Sequence, residues 1–151
     1  MKLRSASLLD LSRIEAIYHE ATTRFGSVPP PARLWSLVSH TLSALLPLSQ
    51  ETLLYVAEEG GRVIGFVQAS GQPLGFGIPN RITSLQVLNV CVAADRDEPE
   101  VAPALVDYLC GQAMGRGVQR LFVRIPPDDV LTPIFRRQSF RQYATETVLY
   151  A

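Results

Sequence analysis

The sequence predicts an α/β domain whose mixed, mainly antiparallel central sheet carries helices on both faces. Two apolar runs, "TLLYVAE" and "RVIGFVQA", flank Glu59-Gly60-Gly61, the pattern of antiparallel strands joined by a tight hairpin. Further on, the apolar run "SLQVLNVCV" is followed by a helix-periodic segment and then by "QRLFVRI", a strand–helix–strand unit that brings in a parallel pair. Antiparallel strands leading into such a unit make a mixed sheet, and the connecting helices must cover its faces.

The elements follow in order. "KLRSA" alternates and forms a short first strand. "SLLDLSRIEAIYHEATTRF" is a helix that Ser7 or Asp10 can cap, with Leu11, Ile14, Ala16, Ile17, Tyr18 and Ala21 on a broad apolar stripe. Gly26 stops it, and "SVPPP" is a stiff connector because proline fixes φ and has no donor. "ARLWSLVSHTLSALLPL" is a second helix, limited by Pro47. The hairpin follows, then the Gly/Pro loop "SGQPLGFGIPN", then "SLQVLNVCV", apolar enough for a strand buried on both faces. "EVAPALVDYLCGQAM" is the third helix, with Val101, Leu105, Tyr108 and Leu109 on one face and Gly115 and Gly117 ending it. "QRLFVRI" is a strand, "DDVLTPIFRRQ" a short helix with Pro133 inside it, and "QYATETVLYA" a last strand.

The chain of 151 residues fits one domain, residues 1–151, and is long enough to bury a core. Hydrophobic residues make up 47% and charged residues 19%, an ordinary globular balance. With 14 basic and 14 acidic side chains the net charge is zero, which points away from nucleic acid or an anionic membrane as partner. "MKLRSASLLDLS" lacks the apolar stretch of a signal peptide, and no segment has the length of a membrane span. Cys91 and Cys110 sit in apolar surroundings and read as buried free thiols. The expected location is the cytoplasm.

Motif by motif, little chemistry stands out. His19 and His40 lie on different helices without further ligands at metal spacing, so no metal site is expected. There is no nucleophile elbow, phosphate-binding Gly/Lys loop or dinucleotide fingerprint. The junction "VAADRDEPEVAPAL" remains. It leads from a strand into a helix, a place where free backbone N–H groups can bind a phosphate, yet it carries Asp95, Asp97, Glu98 and Glu100. Acids there also stabilise a helix start by ~0.3–1 kcal/mol each, and Pro99 suits a first turn.

Taken together, the segments resemble the GCN5-related N-acetyltransferases, the acetyl-CoA-dependent GNAT fold. "KLRSASLLDLSRIEAIYHEA" is similar to the family's opening "IRPAT-x-x-D-x-x-x-I", "LLYVAEEGGRVIGFVQAS" to its second and third strands, and "FRRQSF" to its closing "LYxxxGF". The resemblance covers nearly the whole chain. It implies acetyl-CoA as cofactor, with the pantetheine arm along Val90, Cys91 and Val92, the pyrophosphate at the loop into Val101 and Ala102, and Phe135 beside the thiol. It also implies an amine acceptor, a small molecule or peptide, between the two N-terminal helices and the loop Gly71–Asn80.

The chain departs from the family's "L-x-V-x-P-x-x-R-G-x-G-x-G/A" at defined positions. Ala94 stands at the proline and Asp97 at the arginine, while Glu98 and Glu100 replace two glycines and only Ala102 fits. Glycines let a phosphate approach the backbone closely, whereas glutamates add Cβ atoms and like charge. Where the family has its proton-donating tyrosine, Phe135 has no hydroxyl. Asp128, Leu131 and Ile134 fill the neighbouring family positions, Ser139 stands for the usual Gly, and the strand offers Gln86 and Asn89 but no carboxylate base. No catalytic residue is assigned. The expectation is an N-acetyltransferase-type domain of weak or lost activity, with a non-catalytic structural, dimerising or ligand-sensing module as the alternative. Since one strand remains after the last helix where the family usually has two, a homodimer partner or a tandem GNAT-like domain is expected to complete the sheet edge.

Overall fold

The computed structural model describes residues 1–24, 52–71, 84–96, 98–123, 131–138 and 140. The expected second helix, the loop 72–80, the last strand and the edge it was expected to leave open lie outside these residues, as do Asp97, Asp128 and Ser139.

The described elements are β1 (Lys2–Ser5), a 3-10 turn (Leu8–Asp10), α1 (Leu11–Arg24), β2 (Thr52–Glu59), β3 (Arg62–Gly71), β4 (Ser84–Val92), α2 (Glu98–Gly115), β5 (Arg120–Val123) and α3 (Thr132–Arg137). They build a five-stranded sheet in the order β1-β2-β3-β4-β5. The first four strands pair antiparallel and β4 pairs parallel with β5, so the mixed, mainly antiparallel sheet is present.

Local chemistry accounts for the turns. Gly60 and Gly61 both take positive φ, 59° and 78°, as the two central residues of a right-twisting hairpin require. At the end of α2, Gly117 adopts φ 77°. Its N–H bonds the Met114 carbonyl at 3.1 Å and the Val118 N–H bonds the Ala113 carbonyl at 3.0 Å, which satisfies two of the helix's orphan acceptors. Pro133 sits in the first turn of α3, where a missing N–H costs nothing, so the proline that looked misplaced inside a longer helix starts a shorter one.

The core forms two layers. On one face, Ile14, Ile17 and Tyr18 of α1 pack on Leu54, Val56, Val63, Phe66, Cys91 and Ala93. On the other, Val101, Ala102, Leu105, Val106 and Leu109 of α2, with Ile134 and Phe135 of α3, pack on Leu53, Tyr55, Ile64, Val67, Leu85, Val87 and Val92. The strand buried almost continuously is β3 rather than β4, in which Leu88, Asn89 and Val90 are only half-buried. Between β2 and β3 the register shifts so that Ala57 faces Gly65 and Glu58 faces Val63. Ile64 is therefore the extra residue of a bulge.

Edge strand β1 is fastened by charge. Arg4 grips Asp10 through two bonds of 2.7 and 2.9 Å and reaches Glu58 at 2.7 Å. Asp10 is buried, and its Oδ2 also accepts the Ser7 N–H at 2.7 Å, so Ser7 and Asp10 together organise the entry to α1. The Arg4 hydrogen bonds hold the Asp10 carboxyl below the usual carboxylate range against the opposing effect of burial. Neither Cys91 nor Cys110 is in a disulfide; Cys91 is buried and Cys110 half-buried, with desolvation pushing the Cys110 thiol up. Among the described residues no helix is long and apolar enough to cross a membrane.

Candidate functional site

The C-terminal half of β4 is the structural feature on which a site can be built. Parallel pairing with β5 covers only Ser84–Val87 against Arg120–Val123. Immediately beyond, the β3–β4 register shifts: Ala69 faces Val87 but Gln68 faces Asn89, which makes Leu88 an extra, bulged residue. A bulge bends its strand and adds twist. From Leu88 to Val92, then, β4 pairs with β3 alone among the described residues.

The alternation of an antiparallel ladder says which backbone groups this frees. The Ala93 N–H bonds the Ile64 carbonyl at 2.8 Å, and Ala93–Ile64 shares its register with Cys91–Phe66 and Asn89–Gln68. The backbone groups of Asn89, Cys91 and Ala93 therefore turn to β3, and those of Val90 and Val92 turn away from it, to the side on which β5 lies. The side chains of Val90 and Val92 belong to the α2 face, and that of Cys91 to the α1 face. Of the residues expected along a pantetheine arm, Val90 and Val92 thus turn main-chain donors and acceptors away from β3, while the Cys91 side chain faces the opposite layer.

The loop after β4 is built differently from a phosphate cradle. It turns tightly, with the Arg96 N–H bonding the Ala93 carbonyl at 3.1 Å. Two exposed ion pairs tie it to the β2–β3 hairpin, Arg62–Asp95 at 3.2 Å and Arg96–Glu59 at 2.7 Å. Such pairs contribute ~0.2–1 kcal/mol each. The Ala94 N–H already donates to Glu20 Oε2 at 3.2 Å, and Glu20 also pairs with Arg13 at 3.5 Å. α2 begins at Glu98, two residues earlier than its apolar pattern suggested, so Pro99 occupies the first turn and removes a backbone donor there. Glu100 is exposed. Val101 and Ala102 are buried under the helix.

Phe135 is 2% exposed. Its ring packs edge-on against Phe140 at 5.1 Å, inside the α2 layer. It lies in the core, with Leu131 half-buried one turn before it.

The residues fit the two halves of acetyl-CoA unequally. The C-terminal half of β4, with the Val90 and Val92 backbone groups unused by β3, suits the amide-bearing pantetheine arm. The loop, with Ala94 engaged by Glu20, Pro99 lacking an N–H and Glu100 exposed beside it, does not suit a diphosphate. The sequence reading flagged the acids but missed the Pro99 donor loss, the Glu20 contact and the pairing of Gln68 with Asn89. The one sequence signal for the last was a glutamine inside the apolar run "VIGFVQA".

No protein-family model and no curated protein matches the chain by sequence. Solved structures do match by shape. A predicted acetyltransferase from Clostridium acetobutylicum, solved with acetyl-CoA, superposes at TM-score 0.75 with 16% identity, covering 99% of this chain and 95% of that one. The ribosomal-protein-alanine N-acetyltransferase of Brucella melitensis does so at 0.68 with 21% identity, over 93% and 85% of the two chains. A protein described as a transcriptional regulator from Bacillus halodurans matches at 0.67 with 14% identity, over 99% and 98%. At such identities the likeness is one of fold: the chain has the GNAT, acetyltransferase-like fold.

Proposed function

We propose that this chain is an N-acetyltransferase-type domain that takes the pantetheine end of acetyl-CoA along β4, holds the diphosphate weakly, and transfers an acyl group to an amine with low efficiency. The observation that carries this reading is the Leu88 bulge, beyond which the Val90 and Val92 main-chain groups face away from β3. Acetyl-CoA, when bound, supplies an activated acyl group. The chain's own part is to offer the Val90 and Val92 main-chain groups to the arm, beside the apolar layer of Val92, Val101 and α2. Preorganised N–H donors of this kind polarise a carbonyl without reorganisation during reaction. A cytoplasmic location is consistent with this role.

The loop favours a second reading, a non-catalytic module that has the fold without the pyrophosphate grip. Pro99, exposed Glu100 and a core-packed Phe135 support it. The two readings are separated by calorimetry with acetyl-CoA and with acetyl-pantetheine, which lacks the diphosphate. The proposal expects both to bind, within about threefold of each other, because each charged contact at an exposed site adds little. Absence of binding by either at millimolar concentration leaves the non-catalytic module. Binding of acetyl-CoA a hundredfold tighter than acetyl-pantetheine would show an intact diphosphate site and refute the weak grip.

A further inference from the structure

We infer that Glu20 of α1 is an internal competitor for an anion: its carboxylate occupies a main-chain N–H and a guanidinium beside the turn after β4, and a phosphate group displaces it to reach them. This latch lies on the α1 side of the turn and does not depend on acyl transfer. The Ala94 N–H donates to Glu20 Oε2 at 3.2 Å, and Arg13 Nη1 stands 3.5 Å from Glu20 Oε1. Arg13 lies two turns before Glu20 on the same helix face. It is fixed independently, because its Nε donates to the Val63 carbonyl at 3.1 Å. Its Nη2 is buried with no hydrogen-bond partner, so the fold does not saturate the guanidinium. When Glu20 leaves, Arg13 stays in place.

Both contacts that hold Glu20 are loose. Charge-assisted bonds to a carboxylate usually close to about 2.7–2.9 Å. The Glu20 side chain is 39% exposed and its bond with Ala94 lies at the surface, so a solute reaches the place without opening the core. Solvated contacts of this kind are weak and are screened by salt. The other ion pairs that tie the turn, Arg62–Asp95 and Arg96–Glu59, balance themselves. With Glu20 turned out to water, Arg13 is the unpaired cation among these groups, beside an unused N–H. A free carboxylate offers those donors no more than Glu20 does, and it lacks the advantage of being tethered. A phosphate carries more charge and more acceptor oxygens, and arginine binds it well, so a phosphate-type anion is the ligand that can win the exchange.

The test follows the Ala94 main-chain amide signal in protein labelled with nitrogen-15, with ionic strength held constant by sodium chloride. Inorganic phosphate is expected to shift the signal saturably, at least fivefold more tightly in Glu20→Gln than in the unsubstituted protein, while acetate at the same concentrations leaves it in place. Glutamine keeps the size of the side chain and an oxygen for the Ala94 N–H, so the substitution removes the charge and spares the fold. Arg13→Gln is expected to weaken the phosphate response at least fivefold. An Ala94 signal that phosphate does not move, equal phosphate affinity in Glu20→Gln and the unsubstituted protein, or acetate acting as well as phosphate overturns the inference. Titration with acetyl-CoA and acetyl-pantetheine separates the sources of the phosphate: an Ala94 shift with acetyl-CoA alone of the two assigns the contact to a cofactor phosphate, and a shift with inorganic phosphate but neither thioester assigns it to the free ion. Failure of both thioesters to bind, with the phosphate response intact, overturns the acyl-transfer reading and leaves the Glu20 latch standing.

Discussion

Gly65→Ala is the sharpest probe of how the sheet and α2 are assembled. A Cβ built on Gly65 would lie 3.0 Å from the Cys91 backbone oxygen, 3.1 Å from Leu105 Cδ1 and 3.1 Å from Val101 Cγ1. The oxygen belongs to the neighbouring strand and cannot swing aside. Leu105 is fully buried and Val101 nearly so, and close-packed interiors leave buried side chains little room to give way. Relief requires lifting the start of α2 off the sheet by a few tenths of an ångström, an overpacking cost of about 1–3 kcal/mol. Alanine also narrows the unfolded ensemble, which returns ~0.4–1 kcal/mol. The net loss is about 1–2 kcal/mol. At roughly 2–4 °C per kcal/mol for a domain of this size, the melting temperature should fall by about 2–8 °C. Adding Val101→Ala removes one of the three contacts, so the double variant should be more stable than the sum of the singles by roughly 0.5–1 kcal/mol. Scanning calorimetry on the four proteins of the cycle decides the matter. A melting temperature that is unchanged or raised in Gly65→Ala, or strict additivity in the cycle, would refute the argument that close approach of α2 requires glycine here.

Other expectations follow from the same packing and charges. Asp10→Asn should lower stability near neutral pH by about 1.5–3 kcal/mol, because it breaks charge-assisted bonds to Arg4 on a buried group. Since the Asp10 carboxyl titrates lower in the folded chain than unfolded, its contribution is complete above about pH 3.9 and fades as pH falls through the lower folded value. Urea midpoints of the two proteins should therefore converge in strong acid, and a constant gap would count against the assignment. Glu98→Gln with Glu100→Gln removes two negative charges beside the β4 loop and should tighten acetyl-CoA binding about two- to tenfold at low salt, with less gain at high salt; no gain by calorimetry means that charge is not what weakens the site. Pro103, inside α2, cannot bond the carbonyl four residues back. Pro103→Ala should raise stability by about 1–2 kcal/mol in urea melts, and destabilisation would show that the ring is needed for packing.

Much of the architecture was legible before any coordinates. Glu59-Gly60-Gly61 can only be followed by a strand returning antiparallel, because two successive residues at positive φ select that turn. The 3.6-residue spacing of Ile14 and Ile17, and of Val101, Leu105 and Leu109, marked the buried faces of both helices. The end of α2 was legible in Gly117, and Phe135 was legible as a residue without a hydroxyl. In each case the information is local: backbone conformation and side-chain period are properties of neighbouring residues.

Other features depend on residues distant in sequence, and only the folded chain decided them. Which strand is buried on both faces is set by the layers above and below, so the apolar β4 proved half-open and β3 continuously buried. The Leu88 bulge arises from register between two strands, and no composition of β4 alone predicts it. The pairings of Glu20 with Ala94 and of Glu59 with Arg96 join residues far apart in the chain, as does the amide pair of Gln68 and Asn89. The sequence by itself determined a mixed, mainly antiparallel sheet and the acids that crowd the turn into α2. The tertiary structure decided that β4 bulges at Leu88, and that Glu20 and the Ala93 carbonyl take the Ala94 and Arg96 N–H groups of the turn. Hydrogen-bond partnership is settled in three dimensions, because the partners lie far apart in the chain.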